Sequence, residues 1–85
     1  MRQDCLILFR SLTHAQRAAQ ILERNGMTAT VRKAPQGLPA RGCSYCVRLR
    51  AGRMCGALPL LAQRGLELGK VFLLREDGNY QEVQP

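Results

Sequence analysis

Tryptophan is absent, and Phe9, Phe72, Tyr45 and Tyr80 are the whole aromatic complement. A core so poor in rings has to be filled by Leu, Ile, Val and Ala, so an aliphatic interior is expected. Long apolar runs are missing too. The longest, Cys5–Phe9 and Val71–Leu74, fall far below the roughly 20 residues of a spanning helix, so no membrane role is expected. The opening Met1-Arg2-Gln3-Asp4 carries no hydrophobic leader; a cytoplasmic setting follows as the expectation, with the thiols reduced. Acidic residues are scarce, six against 13 basic ones, and Lys33 and Lys70 are the only lysines. The resulting formal charge of +7 suits acidic partners, whether nucleic acid, an acidic protein or a phosphorylated ligand. Paired carboxylates at an interpretable spacing, a phosphate-cradling glycine loop and a Ser/His/Asp set are all missing. The single histidine, His14, reads as a solvated residue of a helix start.

What is present reads as one domain over residues 1–85. Cys5-Leu6-Ile7-Leu8-Phe9 is a short buried strand. Thr13 with Gln16 fits a capping box opening a helix. Ala15, Ala18, Ala19 and Leu22, with Ile21 on the flank, form its apolar stripe, and Asn25-Gly26 ends it. Thr28–Arg32 reads as a second strand, followed by a loop containing Pro35, Gly37, Pro39 and Gly42. Tyr45–Arg50 alternates, with Tyr45, Val47 and Leu49 on one face and Cys46, Arg48 and Arg50 on the other. A second helix is expected between Arg53 and Gln63, with Met54, Leu58, Leu61 and Ala62 inward; Gly56 and Pro59 make it short, kinked or late to start. Lys70–Arg75 is a strand, and Asp77-Gly78 turns it into a return strand, Tyr80–Val83. The expected class is α+β: a ferredoxin-like βαββαβ two-layer sandwich with a short C-terminal hairpin extension.

Chemistry concentrates at Gly42-Cys43-Ser44-Tyr45-Cys46, where a loop enters the third strand. Two thiols at this spacing can form a disulfide, chelate a soft metal, or serve as attacking and resolving groups. A Cys43–Cys46 bridge requires a bent segment that keeps the Cα atoms within about 4.4 to 6.8 Å. Arg41 and Arg48 flank the motif, and Arg10 is expected beside it across the sheet; the three are candidate thiolate-stabilising cations. Against this stands burial, because cysteine often does no more than pack. Cys46 is therefore read either as a resolving thiol or as a plain strand residue. Cys5 and Cys55 are read as covered structural thiols, and the four cysteines are not expected to converge.

Several segments resemble a known family: the Cys5–Phe9 opening, the Asn25-Gly26 helix end, the Pro-rich loop into Gly42-Cys43, Gly69-Lys70-Val71-Phe72-Leu73-Leu74, and Asp77-Gly78-Asn79-Tyr80. The chain is similar over most of its length to the Se/S carrier-like family of short bacterial proteins. Its motif, Ser- or Gly-Cys-Gly at the third strand, implies Cys43 as the equivalent thiol. Ser44 stands where that family commonly has Gly, and Cys46 is an addition. The resemblance implies a carrier or accessory protein more than a turnover enzyme. It would use Cys43 and Cys46 in persulfide or selenosulfide transfer between chalcogen donor and acceptor proteins, with no cofactor.

A second reading is a basic ferredoxin-like module that binds nucleic acid or an acidic protein, without thiol chemistry. It requires aromatics on the open sheet face, for which Phe9 and Tyr45 are the candidates. A metal site is a third reading, but two thiols leave zinc's tetrahedral shell incomplete, and no metal is expected.

Overall fold

The computed structural model describes residues 3–38 and 42–83. Among them the chain forms β1 (Asp4–Phe9), α1 (Leu12–Arg24), β2 (Thr30–Lys33), β3 (Tyr45–Arg50), α2 (Met54–Gln63), β4 (Val71–Leu74) and β5 (Tyr80–Val83). The strands make one sheet in the order β2-β3-β1-β4-β5, every neighbouring pair antiparallel. β1 takes the centre because it is apolar on both faces and needs cover on both.

One face carries the helices. Cys5, Ile7 and Phe9 of β1, Val47 and Leu49 of β3 and Val71 of β4 pack there against Ala15, Ala18, Ile21 and Leu22 of α1 and Ala57 and Leu61 of α2. Small alanines on α1 let the helix lie close over an aliphatic sheet, and Leu22 closes the contact. The other face holds Leu6, Leu8, Cys46 and Phe72, overlaid in part by Ala34, Leu38, Cys43 and Tyr80. Both layers of apolar β1 residues are thus withdrawn from water, each large aliphatic side chain contributing about 1.5 to 3 kcal/mol. Among the described residues, no helix is long and apolar enough to cross a membrane.

Several local expectations are corrected. The N-cap of α1 is Ser11, not Thr13: Ser11 Oγ accepts from the His14 backbone N–H at 3.2 Å and shares a 2.7 Å hydrogen bond with His14 Nδ1. The helix ends as expected at Asn25, with Gly26 in the left-handed region at φ 80°. β2 starts at Thr30 rather than Thr28. Ala62 is exposed, and Ala57 is buried instead. A 3-10 turn at Ala51–Arg53 precedes α2, so the helix starts late. Pro59 inside it removes the donor that would bond the Cys55 carbonyl.

Candidate functional site

The register places the end of β1 against the start of β3: Leu8 pairs with Cys46 and Phe9 with Tyr45. Beyond β4, the pairing continues irregularly. The Gly69 N–H donates to the Leu8 carbonyl at 2.8 Å, and the Leu8 N–H donates to the Lys70 carbonyl at 3.0 Å. Cys43 lies over this crossing. A Cβ at Gly69 would stand 2.8 Å from Cys43 Sγ and 2.8 Å from the Leu8 carbonyl oxygen. The bare glycine is therefore the seat of the thiol. Its φ is ordinary; what glycine supplies is space.

The seated thiol opens onto a cleft of about 180 Å³, whose charged lining is Arg10, Glu67 and Lys70. Cys43 itself is half-buried. Lys70 Nζ reaches Glu82 at 3.6 Å, with both side chains substantially exposed, so its charge is only loosely committed. Arg10 has no ion-pair partner among the described residues. A partly covered nucleophile with cations at its rim can take part in exchange with an anionic sulfur or selenium compound.

The other cysteines are placed differently. Cys46 is 1% exposed, and its thiol donates to the Lys33 carbonyl at 3.8 Å. Burial pushes its pKa up, against a lowering pull from Arg32 and Arg48. Cys5 is fully buried, and desolvation, with Asp4 adding to it, pushes its thiol up to about 11. Cys55 is exposed, which corrects the expectation that it is covered.

The paired-thiol reading is also corrected, because no two cysteines lie close together and all four are free. The β2–β3 ladder continues one step before Tyr45, where the Ala34 N–H donates to the Ser44 carbonyl at 2.9 Å, while Cys43 packs on the Leu6, Leu8 and Phe72 face over Gly69. As expected, the four cysteines do not converge. Among the described residues no three His, Cys, Asp or Glu side chains group as metal ligands.

Of the three flanking arginines, Arg10 lines the cleft with Cys43. Arg48 is turned to Asp4, with Nη2 2.6 Å and Nε 2.8 Å from Oδ2, and Asp4 pairs with Arg50 at the far end of the strand. Arg41 lies outside the described residues. Phe9 is fully buried, and it and Tyr45 belong to the helix-covered core, so neither projects from the open face.

Sequence reasoning missed Gly69, Glu67 and Lys70. The usable signal was Gly69 itself, a glycine just before β4, at the point where β4 leaves the pairing with β1. The family described as "Putative Se/S carrier protein-like" matches residues 4–73. No curated protein and no solved structure matches the chain. The matched span runs from β1 through β4 and takes in Cys43, its glycine seat and the cleft: the chain belongs to the Se/S carrier-like family.

Proposed function

We propose that this protein carries sulfur or selenium on Cys43 alone, as a persulfide or selenosulfide, between donor and acceptor proteins. The observation that carries the reading is the half-buried Cys43 thiol seated on Gly69 at the mouth of a cleft with Arg10 and Lys70. In loading, the Cys43 thiolate attacks the outer sulfur of a donor persulfide. A new S–S bond forms on Cys43, the donor S–S bond breaks, and the donor leaves as a thiolate, so no net oxidation occurs. Discharge is the same exchange with an acceptor thiolate, and Cys43 leaves. Selenium follows the same path through an S–Se bond. Arg10 faces the anionic outer atom of the loaded group, whereas Arg48 is occupied by Asp4. Cys46 has a packing role. A cytoplasmic setting, where thiols stay reduced, suits such a cycle. The ferredoxin-like reading with a terminal hairpin agrees with the strand order and with helices on one face.

The test is intact mass and peptide mapping after exposure to a small-molecule persulfide and to its selenium analogue. One added chalcogen atom is expected on Cys43, retained in Cys46→Ala and lost from that peptide in Cys43→Ala. Addition confined to Cys55 removes the site assignment.

A further inference from the structure

The cleft beside Cys43 holds two cations and one carboxylate in a small volume: Arg10, Lys70 and Glu67 around about 180 Å³. That space is below the roughly 300 to 1,000 Å³ of a drug-sized pocket, so it fits a ligand of amino-acid size. The charges are not equivalent. Arg10 is without an ion-pair partner among the described residues, while Lys70 leans on Glu82. A guanidinium offers a planar fork that matches a carboxylate in two parallel hydrogen bonds. Glu67, exposed at the same cleft, would repel a purely anionic ligand but accept an ammonium. The thiol of Cys43 completes the set, with Gly69 holding it at the cleft rather than in the sheet.

We infer that the cleft is a binding site for small zwitterionic thiol compounds of the amino-acid type, which exchange with Cys43 as disulfides or persulfides. The ligand carboxylate meets Arg10, with Lys70 as a supporting charge, and the ligand ammonium meets Glu67. The inference rests on Cys43 being the reacting thiol and adds the class of small molecule that the site selects. The exchange balances: the Cys43 thiolate attacks one sulfur of a disulfide R–S–S–R, a protein–S–S–R bond forms, and R–S⁻ leaves and takes up the proton lost by Cys43. One disulfide replaces another, with no outside oxidant.

Four disulfides separate the contributions: cystine carries both charges, dithiodipropionate only carboxylates, cystamine only ammoniums, and bis(2-hydroxyethyl) disulfide neither. Their leaving thiols differ in intrinsic reactivity, so each rate at Cys43 is divided by the rate at the exposed Cys55 in the same molecule, read by peptide mapping. That division also cancels the attraction of the whole +7 chain for anions. The normalised rate for cystine should exceed that for the neutral disulfide by roughly three- to tenfold, as expected of close charges at a partly exposed site, and shrink toward parity in molar salt. Arg10→Gln should remove the gain for cystine. Glu67→Gln should raise dithiodipropionate relative to cystine, and Lys70→Gln should act as a weaker Arg10→Gln. All three altered positions are exposed, so folding is not at risk. Equal normalised rates for cystine and the neutral disulfide, or a cystine gain that survives Arg10→Gln, would overturn the inference. If the neutral disulfide modifies Cys55 but leaves Cys43 untouched, the carrier reading itself fails, a result distinct from loss of charge selectivity.

Discussion

The four cysteines show how far residue type falls short of residue role. Cys5 and Cys46 are withdrawn into opposite faces of the sheet, and burial raises the pKa of both. Cys43 is held at a cleft by a neighbour distant in sequence. Cys55 is exposed because the first turn of α2 faces solvent there. Cys43 as the candidate thiol was legible from its place beside a glycine loop and from family resemblance. Its seat was not, since Gly69 touches it only through the pairing of β4 with β1. Replacing Gly69 with Ala is a sharp test. The new methyl group meets both a thiol and a backbone carbonyl that the sheet holds fixed, so the side chain of Cys43 has to leave. Overpacking of this kind costs about 1 to 3 kcal/mol. Urea denaturation should show that loss, and alkylation of Cys43 should change while that of Cys55 does not; a neutral Gly69→Ala at both readouts contradicts the seat.

Cys5 supplies a second residue-level prediction, through pH. Its folded pKa of about 11 lies above the ordinary thiol value of 9.0, so the native state keeps a proton that the unfolded chain releases. The contribution is therefore complete below pH 9 and is lost as pH rises toward 11. The loss amounts to at most about 3 kcal/mol, from roughly 1.36 kcal/mol per pKa unit. Urea midpoints measured from pH 8 to 11 should fall more steeply in the parent than in Cys5→Ala, whose residual slope includes the buried Cys46 thiol, also raised by burial. Parallel slopes would mean that the thiol ionises as freely in the fold as outside it.

At the scale of elements, α1 was the most legible because its Ala15, Ala18, Ala19 and Leu22 stripe has one period and one face. Its start was misread, since Ser11 and Thr13 are both cap-forming residues and only the backbone trajectory out of β1 chooses between them. Ser11→Ala should destabilise the fold by about 1 kcal/mol, and Thr13→Ala, exposed within the first turn, by clearly less; thermal denaturation of the two variants ranks them, and the reverse order would reinstate Thr13. The face of Phe9 was harder to read. Cys5–Phe9 is apolar throughout, so alternation has no contrast from which to fix a phase. The structure fixes it by covering one side with helices and the other with Ala34, Leu38 and Tyr80. Phe9 and Tyr45 therefore lie on the helix-covered face, not on the open one. For α2, Gly56 and Pro59 blurred the pattern, which is why Ala62 was expected inward when Ala57 takes that place.

For the whole molecule, the question is whether the sheet could deform enough to let Cys43 and Cys46 bridge. β3 lies between β2 and β1, and Cys46 is tied on both sides, opposite Arg32 and opposite Leu8. Its side chain sits among Leu6, Leu8 and Phe72. Drawing Cys43 toward it would break the Ala34–Ser44 backbone bond, lift the thiol off Gly69 and expose that cluster. Each uncompensated buried backbone group costs about 1 to 3 kcal/mol, which together with the exposed apolar area is comparable to the 2 to 4 kcal/mol a disulfide typically contributes. Mild oxidation of the folded protein, for instance with oxidised dithiothreitol, should therefore leave Cys43 and Cys46 unbridged, and the accessible Cys43 and Cys55 should enter mixed or intermolecular disulfides instead. Non-reducing peptide mapping reads this directly. In denaturant, where the ladder is gone, the same oxidant should join Cys43 to Cys46 readily, because the three-residue spacing then closes a small loop. A native-state crosslink between them, with the fold intact by circular dichroism, would restore the two-thiol cycle and end the reading of Cys46 as a packing residue.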